Sequence, residues 1–225
     1  MAGPPGYGPD SAMQRGGTHA RYCARIGTAA LVWGLAARCL AYGRSKLDCS
    51  VERRRMNRIR RDPNALVTRL VSAKRVLIVC HGNIIRSPFT AALISQALGA
   101  QTALSISSGG LGAVPGKPAH LTAVRTAVKH GVNLTEHAAA PVTPEAVADA
   151  DVIFLMDILQ LAVMRRRFPE ARAKTFLLTS LASDTPLELF DPVDGDEAVF
   201  HACFEHISSA VRPILRVLSA RAQRP

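Results

Sequence analysis

The sequence predicts an α/β fold built on a four-stranded parallel sheet with helices on both faces. From about residue 75 onward, short apolar runs alternate with longer segments of helical character. The apolar runs are nearly continuous, as in strands that are covered on both faces, and parallel strands need helical crossovers between them. Together these two observations favour a doubly wound domain preceded by a basic N-terminal extension.

The four expected strands are short apolar runs of similar length: RVLIVC (75–80), TALSIS (102–107), DVIFLM (151–156) and KTFLLT (174–179). The expected helices lie between and after them, over residues 88–98, 119–131, 143–149, 158–168 and about 195–221. In such flavodoxin-like sheets, ligands bind beyond the carboxyl ends of the strands. Residues that directly follow a strand are therefore the first candidates for a functional site.

The positive charge of the chain lies in its N-terminal part. Residues 1–75 contain 15 Lys and Arg against 4 Asp and Glu, whereas residues 76–225 contain 13 of each. We expect an extension over residues 1–73 and a folded domain over 74–225. No nucleic-acid-binding module accompanies the basic residues, so the pattern argues against specific nucleic-acid recognition.

Three segments make up the expected extension. Residues 1–22 are rich in Gly and Pro and are expected to be disordered. Residues 26–43 are apolar apart from Arg38, which leaves a membrane span, an interfacial helix and a protein-packed helix open. Residues 51–73 are typical of a basic helix, either at a membrane surface or as a solvated linker. The hypothesis is a cytoplasmic protein whose residues 21–75 contact an anionic membrane surface.

The cysteines outside the expected domain's first strand show neither metal-ligand spacing nor a pairing pattern. They are Cys23, Cys39, Cys49 and Cys203. We therefore expect no metal site, and a reducing cytoplasm suits these thiols.

The stretch VCHGNIIRSP, residues 79–88, places a cysteine and an arginine around a tight loop. Cys80 ends the first strand, and Ser87 begins a helix with proline in its first turn. Loop amides and a helix N-terminus form an anion cradle, to which Arg86 adds a planar fork for two phosphate oxygens. In that positive field the thiol is expected to act as a thiolate nucleophile. The expected phosphate-binding residues are His81, Gly82, Asn83, Ile84, Ile85, Arg86 and Ser87.

This stretch resembles the phosphate-binding loop of the low-molecular-weight protein tyrosine phosphatases, whose signature is C(x)5R(S/T). Asp191-Pro192, before the last expected helix, resembles the loop that carries the family's general acid. The resemblance covers roughly residues 74–220. It implies a phosphomonoester hydrolase, most simply a protein-tyrosine phosphatase, with Cys80 as nucleophile, Arg86 as phosphate ligand, Asp191 as general acid and no cofactor.

Matching positions also imply residues that support the loop. Ser87 would donate a hydrogen bond to the thiolate of Cys80. Asn83, held by Ser108 and His137, would prop the loop in its strained conformation.

Several departures from the family pattern keep other functions open. Ile85 replaces a second loop cysteine, and Ala140 stands near an expected arginine. Residues 111–120 and 193–196, which border the expected site, contain no Phe, Tyr or Trp. The alternatives are a phosphatase for a non-aromatic phosphomonoester, an arsenate reductase-like enzyme, and a non-catalytic phosphate-binding or membrane-tethered protein.

Overall fold

A computed structural model of the chain describes residues 46–99 and 103–222. These described residues belong to one compact unit. The segments expected to be disordered (1–22) and apolar (26–43) lie outside the described residues.

The sheet has four parallel strands in the order β2-β1-β3-β4, which confirms the predicted fold class. The strands are β1 (Arg75–Cys80), β2 (Ser105–Gly110), β3 (Val152–Leu155) and β4 (Thr175–Leu177). The helices are α1 (residues 46–61), α2 (Asn64–Ser72), α3 (Arg86–Leu98), α4 (Leu121–Lys129), α5 (Pro144–Asp149), α6 (Ile158–Arg167) and α7 (Glu197–Ala222). Two short 3-10 helices, Pro169–Lys174 and Leu178–Leu181, flank β4.

Strand β1 is apolar from Val76 to Cys80, and its packing shows why. Val76 and Ile78 belong to a buried cluster shared with α2, α3, α4 and α7. Leu77 and Val79 belong to a second cluster, shared with α1, α5 and α6. Because side chains alternate between the two faces of a strand and both faces are covered, the positions of β1 after the exposed Arg75 are best filled by apolar residues.

Strand β2 lies three residues later than the sequence predicted. It pairs with β1 in a register that sets Ser105 opposite Arg75 and Gly110 opposite Cys80. The run Ser-Ser-Gly-Gly at its end is more typical of a turn than of a strand. A β-carbon at Gly110 would lie 2.6 Å from the carbonyl oxygen of His81, so the strand needs a glycine where it passes the loop after β1.

Residues 46–73 pack differently from the expected extension. Helices α1 and α2 are separated at Asp62-Pro63, and both contribute fully buried side chains to the cores. Met56 joins one core cluster, and Leu66 and Leu70 join the other. The amphipathic pattern of this segment thus reflects packing on the sheet's helical layers rather than a solvated linker. Across residues 46–99 and 103–222, the helices are too short or too polar to span a membrane.

Candidate active site

The candidate site lies at the carboxyl edge of the sheet, where the loop after β1 leads into α3. Cys80 is the last residue of β1, and Arg86 is the first residue of α3. The backbone of β2 continues alongside, since the amide of Leu111 donates to the carbonyl oxygen of Cys80 at 3.0 Å and that of Gly112 donates to His81 at 2.9 Å. The loop is therefore fixed at its base by the neighbouring strand.

Asn83 is the centre of the loop. Its backbone φ is 53°, and it is the one non-glycine residue with positive φ in the described chain. Its side chain is fully buried and donates to the hydroxyls of Ser87 and Ser108, both at 2.9 Å. Its Oδ1 accepts the amide of Ala140 at 2.9 Å.

His137 adds a bond to the backbone of Asn83. The distance between His137 Nε2 and the carbonyl oxygen of Asn83 is 2.7 Å. The structure therefore brings Ser108 and His137 to Asn83. The sequence analysis did not predict the contact from Ala140, because a backbone amide makes it and every residue except proline has one. It stabilises the loop at the position where the family pattern led us to expect an arginine.

The thiol of Cys80 is surrounded by hydrogen-bonding groups. Its Sγ lies 3.0 Å from the Ser87 hydroxyl and accepts the backbone amide of Asn83 at 3.2 Å. Hydrogen bonds from a hydroxyl and an amide stabilise a negatively charged sulfur more than a neutral one. This arrangement suits a thiolate nucleophile.

Arg86 is almost fully buried, with 3% of its side chain exposed, and two carboxylates approach it. Its Nη1 donates to Asp157 Oδ2 and to the carbonyl oxygen of Leu189, both at 3.2 Å. Its Nη2 pairs with Asp191, whose side chain remains 41% exposed. The guanidinium is thus anchored on one side by the partly buried carboxylate of Asp157 and the buried carbonyl oxygen of Leu189, and on the other side it faces the more exposed carboxylate of Asp191.

Asp157 is a site residue that the sequence analysis did not identify. It follows β3 and caps α6, where it accepts the amide of Gln160 at 2.8 Å. Burial raises the pKa of this carboxyl, while the bond from Gln160 and the charge of Arg86 act in the opposite direction. The available signal was its position: an aspartate at the end of a strand and the start of a helix, on the ligand edge of the sheet.

A cavity of about 120 Å³ opens above Cys80. Its lining includes the predicted catalytic residues and part of the predicted loop: Cys80, His81, Gly82, Ile84, Ile85, Arg86, Asp191 and Val193. None of these residues is Phe, Tyr or Trp. Phe190, directly before Asp191, instead packs edge-on against His206 with ring centroids 5.8 Å apart. The walls of the cavity are therefore aliphatic or polar, as the sequence suggested.

A family model, related sequences and solved structures all indicate the same family of proteins. The model of the family described as low molecular weight phosphotyrosine protein phosphatase matches residues 75–224. The low molecular weight protein-tyrosine-phosphatase Etp of Escherichia coli is 35% identical over 144 residues, which are 64% of this chain and 94% of that protein.

Two solved structures show the shared fold. The tyrosine phosphatase AmsI of Erwinia amylovora superposes with a TM-score of 0.61 at 32% identity, over 65% of this chain and 94% of AmsI. The arginine phosphatase YwlE of Geobacillus stearothermophilus gives 0.62 at 26% identity, over 68% of this chain and 98% of YwlE. This chain therefore belongs to the low molecular weight phosphotyrosine protein phosphatase family.

Proposed function

We propose that the chain hydrolyses phosphotyrosine in proteins through a cysteinyl-phosphate intermediate. The observation that carries the proposal is the cavity in which Cys80, Arg86 and Asp191 meet beneath a loop that curves around the thiol. Transfer of a phosphoryl group to sulfur requires a nucleophile, a ligand for the anion and an acid, and all three line this cavity.

In the first step, the thiolate of Cys80 attacks phosphorus in line with the leaving oxygen. The sulfur–phosphorus bond forms as the phosphorus–oxygen bond breaks, and Asp191 gives its proton to the departing oxygen. Arg86 and the loop amides hold the three equatorial oxygens, where charge is redistributed in the transition state. For Arg86 to take this role, its Nη2 has to exchange the carboxylate of Asp191 for a phosphate oxygen.

In the second step, water replaces the sulfur. Asp191, now a carboxylate, accepts a proton from the attacking water, and the sulfur leaves phosphorus as a thiolate. The products are inorganic phosphate and the regenerated enzyme. The hydroxyl of Ser87 stabilises the leaving sulfur in this step, which the 3.0 Å contact supports.

Relatives named as protein-tyrosine phosphatases support phosphotyrosine as the substrate. One observation favours a second candidate. The cavity offers aliphatic side chains, Ile84 and Val193, where an aromatic residue would stack on a phenyl ring. A non-aromatic phosphorylated side chain fits such walls, and one similar structure is that of an arginine phosphatase.

Matched peptides test these two candidates. The full chain would be assayed with one peptide carrying phosphotyrosine, phosphoserine or phosphoarginine at the same position, beside a Cys80→Ser variant. The proposal predicts that kcat/KM is highest for phosphotyrosine and that the variant is inactive while it still binds phosphate. A preference for phosphoarginine would favour the second candidate, and equal turnover by the variant would exclude the cysteine mechanism.

We further propose that the catalytic unit begins at residue 46. The basic residues within 21–75 would attach this unit to an anionic membrane on the cytoplasmic side. The attachment is supported by three exposed arginines of α1: Arg54, Arg58 and Arg61. Each basic group near an anionic surface contributes about 1 kcal/mol, and the attraction weakens with salt. Sedimentation of the full chain with anionic and neutral vesicles at low and high salt tests the attachment, and failure to bind anionic vesicles at low salt would exclude it.

A further inference from the structure

The segment that carries Asp191 has little secondary structure of its own. Residues 182–192 contain only turns and bends between the last 3-10 helix and α7. Three backbone bonds tie it to neighbouring residues: the amide of Ala182 donates to Thr179 at 3.0 Å, that of Leu189 donates to Met156 at 2.8 Å, and that of Gly195 donates to Pro192 at 2.8 Å. Side chains from elsewhere therefore contribute much of what holds this acid-bearing loop, residues 182–192, in place.

Two of those side chains are arginines of α1. Arg60 donates to the carbonyl oxygens of Ala182 and Thr185, near the start of the acid-bearing loop. Arg53 pairs with the carboxylate of Glu188, three residues before Asp191. Helix α1 thus holds the loop at two separate points.

The second point continues directly into the candidate active site. Ile158, the residue after Asp157, donates its backbone amide to Glu188 Oε2 at 2.9 Å. The next residue, Leu189, accepts Arg86 Nη1 at 3.2 Å. Arg53 therefore contacts a segment whose neighbouring residues position Arg86 on one side and Asp191 on the other.

We propose that Arg53 and Arg60 are positioning residues that set the place of Asp191. The proposal rests on the proposed function, because it assigns these arginines a role in that reaction. Both lie before residue 75, where the match to the family model begins. In this chain, an N-terminal helix outside the matched region thereby becomes part of the active-site support.

Helix α1 has other attachments that should keep it docked when either arginine is removed. Met56 is fully buried, and the carboxylate of Glu52, 1% exposed, pairs with Arg55 and Arg172. Arg55 also donates to the carbonyl oxygen of Thr175 at 2.8 Å. Loss of Arg53 or Arg60 should therefore loosen the acid-bearing loop without releasing the helix.

The experiment compares Arg53→Ala, Arg60→Ala and the double variant in the full chain. The controls are Asn57→Ala, at an exposed position of the same helix, and Arg216→Ala, which removes an exposed arginine of α7. The readout is kcat/KM for aryl phosphates whose leaving groups range from acidic to weakly acidic phenols. Hydrogen exchange at the amides of residues 183–190 gives a second readout that does not depend on activity.

For phosphates of weakly acidic phenols, we expect the double variant to lose between about tenfold and 10²-fold in kcat/KM, since small misplacements of a catalytic group have effects of that size. The loss should shrink for acidic leaving groups, which need no proton from Asp191. Exchange at the acid-bearing loop should accelerate in the same variants, while the controls stay within about twofold of the parent in both readouts.

Several results would overturn the proposal. A loss that is equal for all leaving groups, and that parallels a fall in melting temperature, would make the two arginines purely structural. Unchanged kinetics with unchanged exchange would show that other contacts suffice to hold the loop. If the parent chain hydrolyses no phosphate ester, the proposed function fails, and exchange at the acid-bearing loop still shows whether the arginines hold it.

Discussion

Replacement of Asn83 by alanine should destabilise the protein more than any other single change in the loop after β1. The substitution removes two hydrogen bonds donated to Ser87 and Ser108 and one accepted from Ala140, all at 2.9 Å. At about 1 kcal/mol each these amount to roughly 3 kcal/mol. Alanine also tolerates the φ of 53° less well than asparagine, which adds about 1 kcal/mol.

The expected total is therefore about 4 kcal/mol, or a fall in melting temperature of about 8 to 16 °C for a unit of this size. Asn83→Gly loses the same bonds but relieves the strain, so it should be roughly 1 kcal/mol more stable than the alanine variant. Ser108→Ala removes one bond and should cost about 1 kcal/mol.

Urea unfolding followed by circular dichroism measures all three variants on one scale. Two results would refute this account of the loop. One is an alanine variant within about 0.5 kcal/mol of the parent, a difference typical of surface substitutions without structural consequence. The other is a glycine variant less stable than the alanine variant, which would mean that backbone strain at this position is unimportant.

Three further predictions concern the titrating groups. Asp191→Asn should lower kcat by about 10² to 10⁴ for weakly acidic leaving groups; a uniform loss across aryl phosphates would make Asp191 structural. Burial raises the pKa of Cys203 to about 12, so iodoacetamide at pH 7 should label Cys80 and spare Cys203 in peptide mapping, and equal labelling would contradict this. Burial lowers the pKa of His130, and the charge of Glu205 partly opposes this shift. The unfolded chain therefore binds a proton at His130 more tightly than the folded chain does. The free energy of unfolding should accordingly fall as the pH drops through about 6.5. His130→Gln should flatten that dependence, and an unchanged slope would show that other groups cause it.

Most of the sheet could be predicted because its central strands are buried on both faces. The apolar runs of β1 and β3 have that origin, and their positions match the expected ones to within one residue at either end. Strand β2 could not be placed as well, since Ser-Ser-Gly-Gly has little strand propensity by itself. Pairing with β1, and the close approach at Gly110, decide its position. Tertiary contacts here override local preference.

The candidate site divides in a similar way. Cys80, Arg86 and Asp191 stand in recognisable spacing, and the structure places them around one cavity. The groups that hold Arg86, namely Asp157 and the carbonyl oxygen of Leu189, are set by which elements meet at the sheet edge. Sequence spacing contains no information on that meeting.

The sequence also could not predict which surface the apolar face of helix α1 contacts. The sequence showed a basic amphipathic segment, but an apolar face fits a membrane surface and a protein core equally well. In the structure Met56 fills a core, and Arg60 bonds to carbonyl oxygens of the acid-bearing loop. Only the packed structure distinguishes the two surroundings.

The most direct test of the central claim is to isolate the phosphorylated enzyme. Asp191→Asn slows attack by water on the intermediate, so the variant would be mixed with para-nitrophenyl phosphate, quenched in acid and digested for mass spectrometry. We expect one phosphoryl group on the peptide that contains Cys80, attached to sulfur, and none when Cys80 is also replaced by alanine. A phosphoryl group on another residue, or turnover that persists in the Cys80→Ala variant, would contradict the cysteine mechanism.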